Sequence, residues 1–414
     1  MKKKISFVLL LSILLMLIAP ALYGCGARSD AITLYVYNWG EYISDGSDET
    51  LDSNAEFEKY CKEVLGLDVK VNYSTFSSNE SMYSKIKSGS AVYDVIVPSD
   101  YMIQRMVAED LLAPLDLSKI PNYQYIDEKF KGDNVYYEDD TDNVYSIPYF
   151  YGMIGIIYNS DIVAPEDVAD ESWDLMWNPN YTRDILQFNN SRDAFGTALY
   201  SLKYDVNNAT DAQWLEALEK LKAQKELVQG YVMDEIFNKM KSGSAAVAAY
   251  YAGDYFAMHD DNEALSFYYP KEGTNSYIDA MCIPKNSQNF DLASEYINFM
   301  CSERIAVANA EYTYYASPLK TVAENADYQA YMQDVHPDAM DILYGDMSES
   351  VPTQAYLNLS PEKLVLLNDL WEELKIESSI GTGIYVCCGV ILGTLILLAV
   401  TQTIKKRKRA KYYD

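Results

Sequence analysis

Histidine is almost missing from this chain. His259 and His336 are the only two in 414 residues, which leaves little for a His-based triad or a His-rich metal centre. No Walker loop, G-x-G-x-x-G or G-x-S-x-G occurs, so neither a phosphate cradle nor a nucleophile elbow is in view. Cysteine is sparse. Among Cys25, Cys61, Cys282, Cys301, Cys387 and Cys388 there is no C-x-x-C spacing, and the pattern implies neither a zinc site nor a disulfide framework. Cys61 falls on a helix face and Cys282 in a core strand, positions that suit buried thiols. Positive charge is also short: 33 Lys and Arg against 61 Asp and Glu give a formal charge of −28. Such a surface repels nucleic acid and anionic solutes and attracts cations; a solvated acidic surface kept for solubility is the alternative that charge alone leaves open. Paired carboxylates are the tools of glycoside hydrolysis, yet spacing singles out no pair. No cofactor or metal is implied, and the chain reads as a binding protein rather than an enzyme.

What is present begins with an address. Lys2–Lys4 precede the apolar run Ile5–Ile18, and Leu22-Tyr23-Gly24-Cys25 follows, so residues 1–25 read as a signal segment ending in a lipobox whose Cys25 is lipidated. Cleavage after Ala19-Pro20-Ala21 is the alternative. Residues 381–404 carry no charge and are long enough to cross a bilayer core of about 30 Å at about 1.5 Å per residue. The basic tail 405–414 then lies on the cytoplasmic side by the positive-inside rule, which puts the intervening chain outside, anchored to the membrane.

Between these ends the length suits two lobes, each with its own core. Residues 33–37 alternate as a strand that stops at Asn38, with Trp39, Glu41 and Tyr42 at its mouth. Phe57, Tyr60, Cys61, Val64 and Leu65 recur at helical spacing and predict a helix over 53–65, stopped by Gly66. A strand from Leu67 to Tyr73, a helix from Asn79 to Ser88 and a buried strand from Tyr93 to Val97 come next. The order β-α-β-α-β implies parallel strands in a doubly wound sheet, whose exits Asn38-Trp39, Thr75-Phe76 and Ser99-Asp100-Tyr101 share one edge. Ligands of open α/β sheets sit beyond such edges.

The second half repeats the alternation. Tyr145–Tyr158 reads as extended chain leading into the second lobe, Ile185–Phe188 as a strand, and Asn190 and Asp193 as the cap and third residue of the helix that follows. Thr210 with Gln213 forms a capping-box pattern ahead of a helix over 211–227. Ala245–Tyr251, Leu265–Tyr269 and Tyr277–Ile283 are further strands, and Asp291–Met300 a helix. Tyrosine is abundant at 38 residues, and it clusters with carboxylates at the strand exits. Ring faces attract organic cations and cover methylenes, while carboxylates pair with ammonium groups. A flexible polycation uses both.

From about residue 31 to residue 320 the chain resembles the spermidine/putrescine-binding proteins of bacterial ABC transporters. The blocks that carry the likeness are Leu34–Tyr42, Tyr73-Ser74-Thr75 with Ser78–Tyr83, Tyr93–Ser99, Tyr145–Tyr149, Pro270–Gly273 and Tyr277–Ala280. The resemblance implies an α/β, two-lobe, periplasmic-binding-protein-like fold with a hinge and an interlobe cleft. Residues 26–145 and 280–315 would form the first lobe, and 146–279 and 316–378 the second. It implies a polyamine ligand, with Trp39, Tyr42, Ser99 and Tyr101 on one wall and Tyr251, Tyr277 and Tyr315 as further rings. Asp279 would pair with an amine, Asp193 stands where a glutamate is usual, and Asn190 stands where an aspartate is usual, one charge fewer. A last polar position near residues 350–360 is not placed. The implied partners are a membrane permease with its ATPase.

Overall fold

The computed structural model describes residues 31–132, 143–345 and 351–376, with positions 390, 393, 394 and 401. Residues 1–25, expected to be a signal segment ending at Cys25, the tail and nearly all of the apolar run 381–404 lie outside the described residues. Among the described residues no helix is long and apolar enough to cross a membrane.

Among the described residues ten strands form two sheets: β1 (Ile32–Trp39), β2 (Val69–Phe76), β3 (Val95–Ile96), β4 (Ile147–Asn159), β5 (Ile185–Phe188), β6 (Val228–Val232), β7 (Val247–Tyr251), β8 (Leu265–Tyr268), β9 (Thr274–Met281) and β10 (Thr353–Ala355). The first sheet has the order β2-β1-β3, and β1 pairs in parallel with both neighbours. Alternation along β1 divides its side chains between two cores. Leu34 and Val36 pack with Phe57 and Cys61 on one face, and Tyr37 packs with Met82, Ile86 and Met106 on the other. Helices therefore cover both faces, which a parallel sheet requires.

Local chemistry explains where elements differ from expectation. The first helix is regular only over Ser53–Tyr60, capped by Asp52, whose Oδ1 accepts from Ala55 N at 2.8 Å. Its last turn, Cys61–Leu65, widens to π geometry as Leu67 N reaches back to Cys61 O at 3.0 Å. β2 runs three residues beyond Tyr73, because Ser74, Thr75 and Phe76 stay in register with Tyr37, Asn38 and Trp39. β3 shrinks to two residues; Asp94 at its start uses its own carboxylate, accepting from Tyr35 N at 2.9 Å. The Thr210–Gln213 capping box forms, but its helix ends at Gln224 and is followed by β6, a strand interrupted by Gln229-Gly230 that alternation did not reveal.

The second sheet has the order β10-β9-β4-β7-β5-β6, with β8 on β4. Its thirteen-residue β4 is the spine. The first half of β4 pairs with β9, and the second half with β7 and β8. β9 also leaves its own sheet: Asp279 bridges to Ser99, and Cys282 beyond it to Ile96. The chain comes back once more where Ala316 bridges to Tyr151. Three segments thus cross between the sheets side by side, near residues 147–151, 279–282 and 316. The three described cysteines, Cys61, Cys282 and Cys301, are buried and unpaired.

β4 meets its neighbours closely at Gly155, where an added Cβ would overlap the Phe267 ring and lie 2.7 Å from the Tyr268 carbonyl oxygen. Gly155→Ala is expected to destabilise the fold by about 1–3 kcal/mol, the usual cost of overpacking. Urea denaturation at fixed m-value measures it, and an unchanged midpoint would show that β8 yields without cost.

Candidate functional site

The carboxyl ends of β1 and β2 and the turn after β3 open onto one cavity. They deliver Trp39 to Tyr42, Phe76 to Glu80, and Ser99 to Tyr101. Opposite them stand Asn190 and Asp193 at the start of the Ser191–Ser201 helix, Tyr250 and Tyr251 at the end of β7, and Asp254 in the first turn of the next helix. β9 contributes Tyr277 and Asp279 from the crossing itself. All ten residues named from the resemblance, Trp39, Tyr42, Ser99, Tyr101, Asn190, Asp193, Tyr251, Tyr277, Asp279 and Tyr315, line this single cavity.

Its electrostatics are one-sided. Glu41, Glu80, Asp100, Asp193, Asp234, Asp254 and Asp279 line the cavity, and among the described residues no Lys, Arg or His does. Asp279 is 5% exposed and accepts from Tyr42 Oη at 2.7 Å and Ser99 Oγ at 2.6 Å. Burial pushes its pKa up to about 6 despite those two donors. Asp193 accepts from Tyr251 Oη at 2.7 Å and Asn190 Nδ2 at 2.8 Å, and burial raises it too. Asp254 accepts from Tyr315 Oη at 2.9 Å, and burial carries it to about 8. Asp100 also reaches about 8, by burial first and the nearby Asp279 charge second, although Tyr101 N donates to it at 2.7 Å. Glu80, 3.0 Å from Tyr101 Oη, is raised by burial.

The walls between these acids are aromatic. Tyr42 meets Tyr315 edge-on at 4.7 Å, Tyr251 meets Tyr277 at 5.4 Å, and Trp39 leans on Phe76 at 4.5 Å. Three buried polar atoms of the described lining, Trp39 Nε1, Asn275 Oδ1 and Tyr277 Oη, have no hydrogen-bond partner. A buried acceptor without a donor is costly, and an incoming N–H relieves it. The cavity has a volume of ≈ 70 Å³. The space suits a thin, unbranched, donor-rich cation.

Asn190 takes a different part from the others. Its Oδ1 caps the helix, accepting from Asp193 N at 2.8 Å, and its Nδ2 holds the Asp193 carboxylate. It therefore acts through Asp193. Residue reasoning passed over Glu80, Asp100, Asp234 and Asp254 as lining groups, although the first lies inside the Ser78–Tyr83 block and the last in the exit of β7. Tyr356 occupies the stretch where a polar lining position was expected but not placed.

Residues 55–335 match the family model described as bacterial extracellular solute-binding protein. The chain is 32% identical over 326 residues to the spermidine/putrescine-binding periplasmic protein of Salmonella typhimurium, covering 78% of this chain and 88% of that one. Among solved structures it is similar to a putative spermidine/putrescine ABC transporter protein from Listeria monocytogenes, with 36% identity and a TM-score of 0.74 over 84% of this chain and 100% of that one. A spermidine/putrescine ABC transporter substrate-binding protein from Streptococcus pneumoniae is 32% identical, with a TM-score of 0.62 over 84% of this chain and 99% of that one.

The buried acids make a testable demand on stability. Between 3.8, their ordinary value, and about 8, Asp100 and Asp254 keep protons in the folded chain that the unfolded chain has released. Stability of the ligand-free protein therefore falls as pH rises through this window, by on the order of 1 kcal/mol per pH unit for each such group at most. His336, lowered from 6.5 by burial and by His259, opposes this weakly. The urea midpoint is expected to drop from pH 5 to pH 8, and less so in Asp100→Asn; a midpoint that rises would contradict the assignment.

Proposed function

The chain belongs to the bacterial extracellular solute-binding proteins, and on that premise we propose that it captures a linear polyamine, of the spermidine and putrescine kind, for an ABC transporter permease. The observation that carries this reading is the cavity itself, with seven acidic side chains, a tyrosine and tryptophan wall and no basic residue among those described in its lining. An ammonium over a ring face gains about 0.5–2 kcal/mol, more as it is desolvated. A carboxylate at ~4 Å adds about 4 kcal/mol at an effective dielectric of 20, before desolvation is subtracted. The methylenes between ammonium groups cover ring surface that water would otherwise wet. Asp279 is the central anchor, because Tyr42 and Ser99 fix both of its oxygens on the seam between the sheets.

Capture closes the molecule. We assign 26–145 and 280–315 to one lobe and 146–279 and 316–378 to the other, with the three side-by-side crossings as the hinge. The ligand touches both walls only in the closed form, and that differential contact drives closure. The receptor works outside the cytoplasm, held by lipid on Cys25 and by the apolar segment 381–404. Both tethers raise its effective concentration near the permease.

Calorimetry of the full-length chain in mild detergent tests this against putrescine, spermidine, spermine and basic amino acids. Heat with at least one polyamine is expected, and none with any polyamine would refute the reading. Asp279→Asn and Trp39→Ala are each expected to weaken binding at least tenfold. Below about 6 for Asp279, and about 8 for Asp100 and Asp254, the carboxyls hold protons that an ammonium must expel. Affinity should accordingly fall as pH is lowered from 8.5 to 5.5, with protons released on binding; equal affinity across that range would contradict it.

A further inference from the structure

The helix Pro361–Ile376 precedes the apolar run 381–404, and its last turn is fastened close to the cavity wall. Leu367, Leu370 and Leu374 bury one face of it. Glu373 pairs with Lys222 Nζ at 2.7 Å, and the Leu374 carbonyl accepts from Lys225 Nζ, which ties the helix to Asp211–Gln224 and its C-cap. Lys375 reaches the other way. Its ammonium lies 4.3 Å from the centre of the Tyr231 ring and 4.7 Å from that of Trp371, and donates to Asn189 Oδ1 at 2.7 Å. Trp371 stands one turn earlier, edge-on to Tyr231 at 5.9 Å. Lys375 is half-buried, and burial together with the Lys225 charge holds its pKa below its ordinary value. A solvated lysine at a helix end meets no such penalty, and the two ring faces recover part of it.

These contacts fall beside lining residues. Asn189 precedes Asn190, and Tyr231 stands two places before Met233; Asn190 and Met233 both line the cavity. Asn189 follows β5, Tyr231 belongs to β6, and the two strands are parallel neighbours joined again by Asn189 N on Val232 O at 2.9 Å. Asn190 Oδ1 accepts from Asp193 N at 2.8 Å, and its Nδ2 donates to Asp193 Oδ2 at 2.8 Å and lies 3.7 Å from Met233 Sδ. A continuous line of contacts runs from Lys375 through Asn189 and Asn190 to the Asp193 carboxylate.

We propose that Lys375 is a positioning residue for amine capture, which clamps the exits of β5 and β6 and so fixes the Asn190 cap that aims Asp193. This rests on the reading above and adds to it a residue outside the cavity. Lys375 does not line the cavity, so it neither meets the amine nor takes its space. Its charge, felt at a distance, repels an ammonium, and by that route alone its removal would tighten binding. Positioning predicts the opposite sign.

Calorimetry of the full-length chain in mild detergent, with putrescine and spermidine, tests this. Lys375→Met keeps the aliphatic stem and removes the charge and the donor. It is expected to weaken the amine that binds by about three- to tenfold, the usual worth of one hydrogen bond. Lys375→Arg keeps a cation over the rings and a donor for Asn189, and should restore affinity to within about twofold. In an Asn190→Ala background the line is already cut, so Lys375→Met should there cost less than about twofold more. The leucines, Lys222 and Lys225 still hold the helix in these variants, and urea denaturation checks that the fold is kept. Asn189→Ala cuts the same line at an exposed residue and should reproduce the loss even if Lys375→Met fails to fold. Equal or tighter binding in folded Lys375→Met or in Asn189→Ala, or the same loss with and without Asn190, overturns the clamp and leaves the polyamine reading standing. An unaltered chain that binds neither amine overturns both.

Discussion

Uncompensated negative charge inside the fold is the constraint on which the rest depends. Asp100, Asp193, Asp254 and Asp279 are each less than a tenth exposed, and they face a common space that no basic side chain among the described residues lines. Taking a carboxylate out of water costs several kcal/mol unless it is paired or neutralised. The protein reduces the cost with hydroxyl donors and with protons, but hydroxyls are weaker partners than cations. The empty site is therefore the less comfortable state, and a ligand with fixed positive charges at the right spacing repairs what the fold leaves undone.

Geometry turns that discomfort into a device. The parallel strands of the first sheet end together, so the turns after them form one wall, and β9 runs from the second sheet onto the first with Asp279 at the point of transfer. Asp279 thus sits on a segment that joins the two sheets rather than on either wall. Three such segments lie side by side, near residues 147–151, 279–282 and 316.

How much of this was readable beforehand depends on how local the cause is. The β1 strand, the Asn79–Ser88 helix and the Thr210–Gln213 capping box rest on alternation, glycine and side chains three residues apart, and these survive in the structure. The termini of β2 and β3 depend on partners far along the chain, Trp39 for one and Tyr35 for the other, and no window of residues contains them. The same distinction holds at the cavity. Trp39, Tyr42, Ser99 and Asp279 sit in contiguous blocks, whereas Asp100 and Glu80 resemble ordinary first-turn helix acids until the opposite wall encloses them. The polar position expected near residues 350–360 could not be assigned to Tyr356, whose seat against Gly196 and Arg192 lies more than a hundred and fifty positions upstream.

The three interior thiols lead somewhere else. Cys61 and Cys301 belong to one core and Cys282 to the other, and burial holds Cys61 at about 11 and Cys301 at about 12, so hardly any thiolate exists while the fold is intact. Thiol exchange proceeds through the thiolate and needs access. An oxidant can therefore reach each sulfur only while its surroundings are briefly open. The chain carries three natural clocks of local unfolding, and its resistance to oxidation outside the cell is set by how rarely they tick.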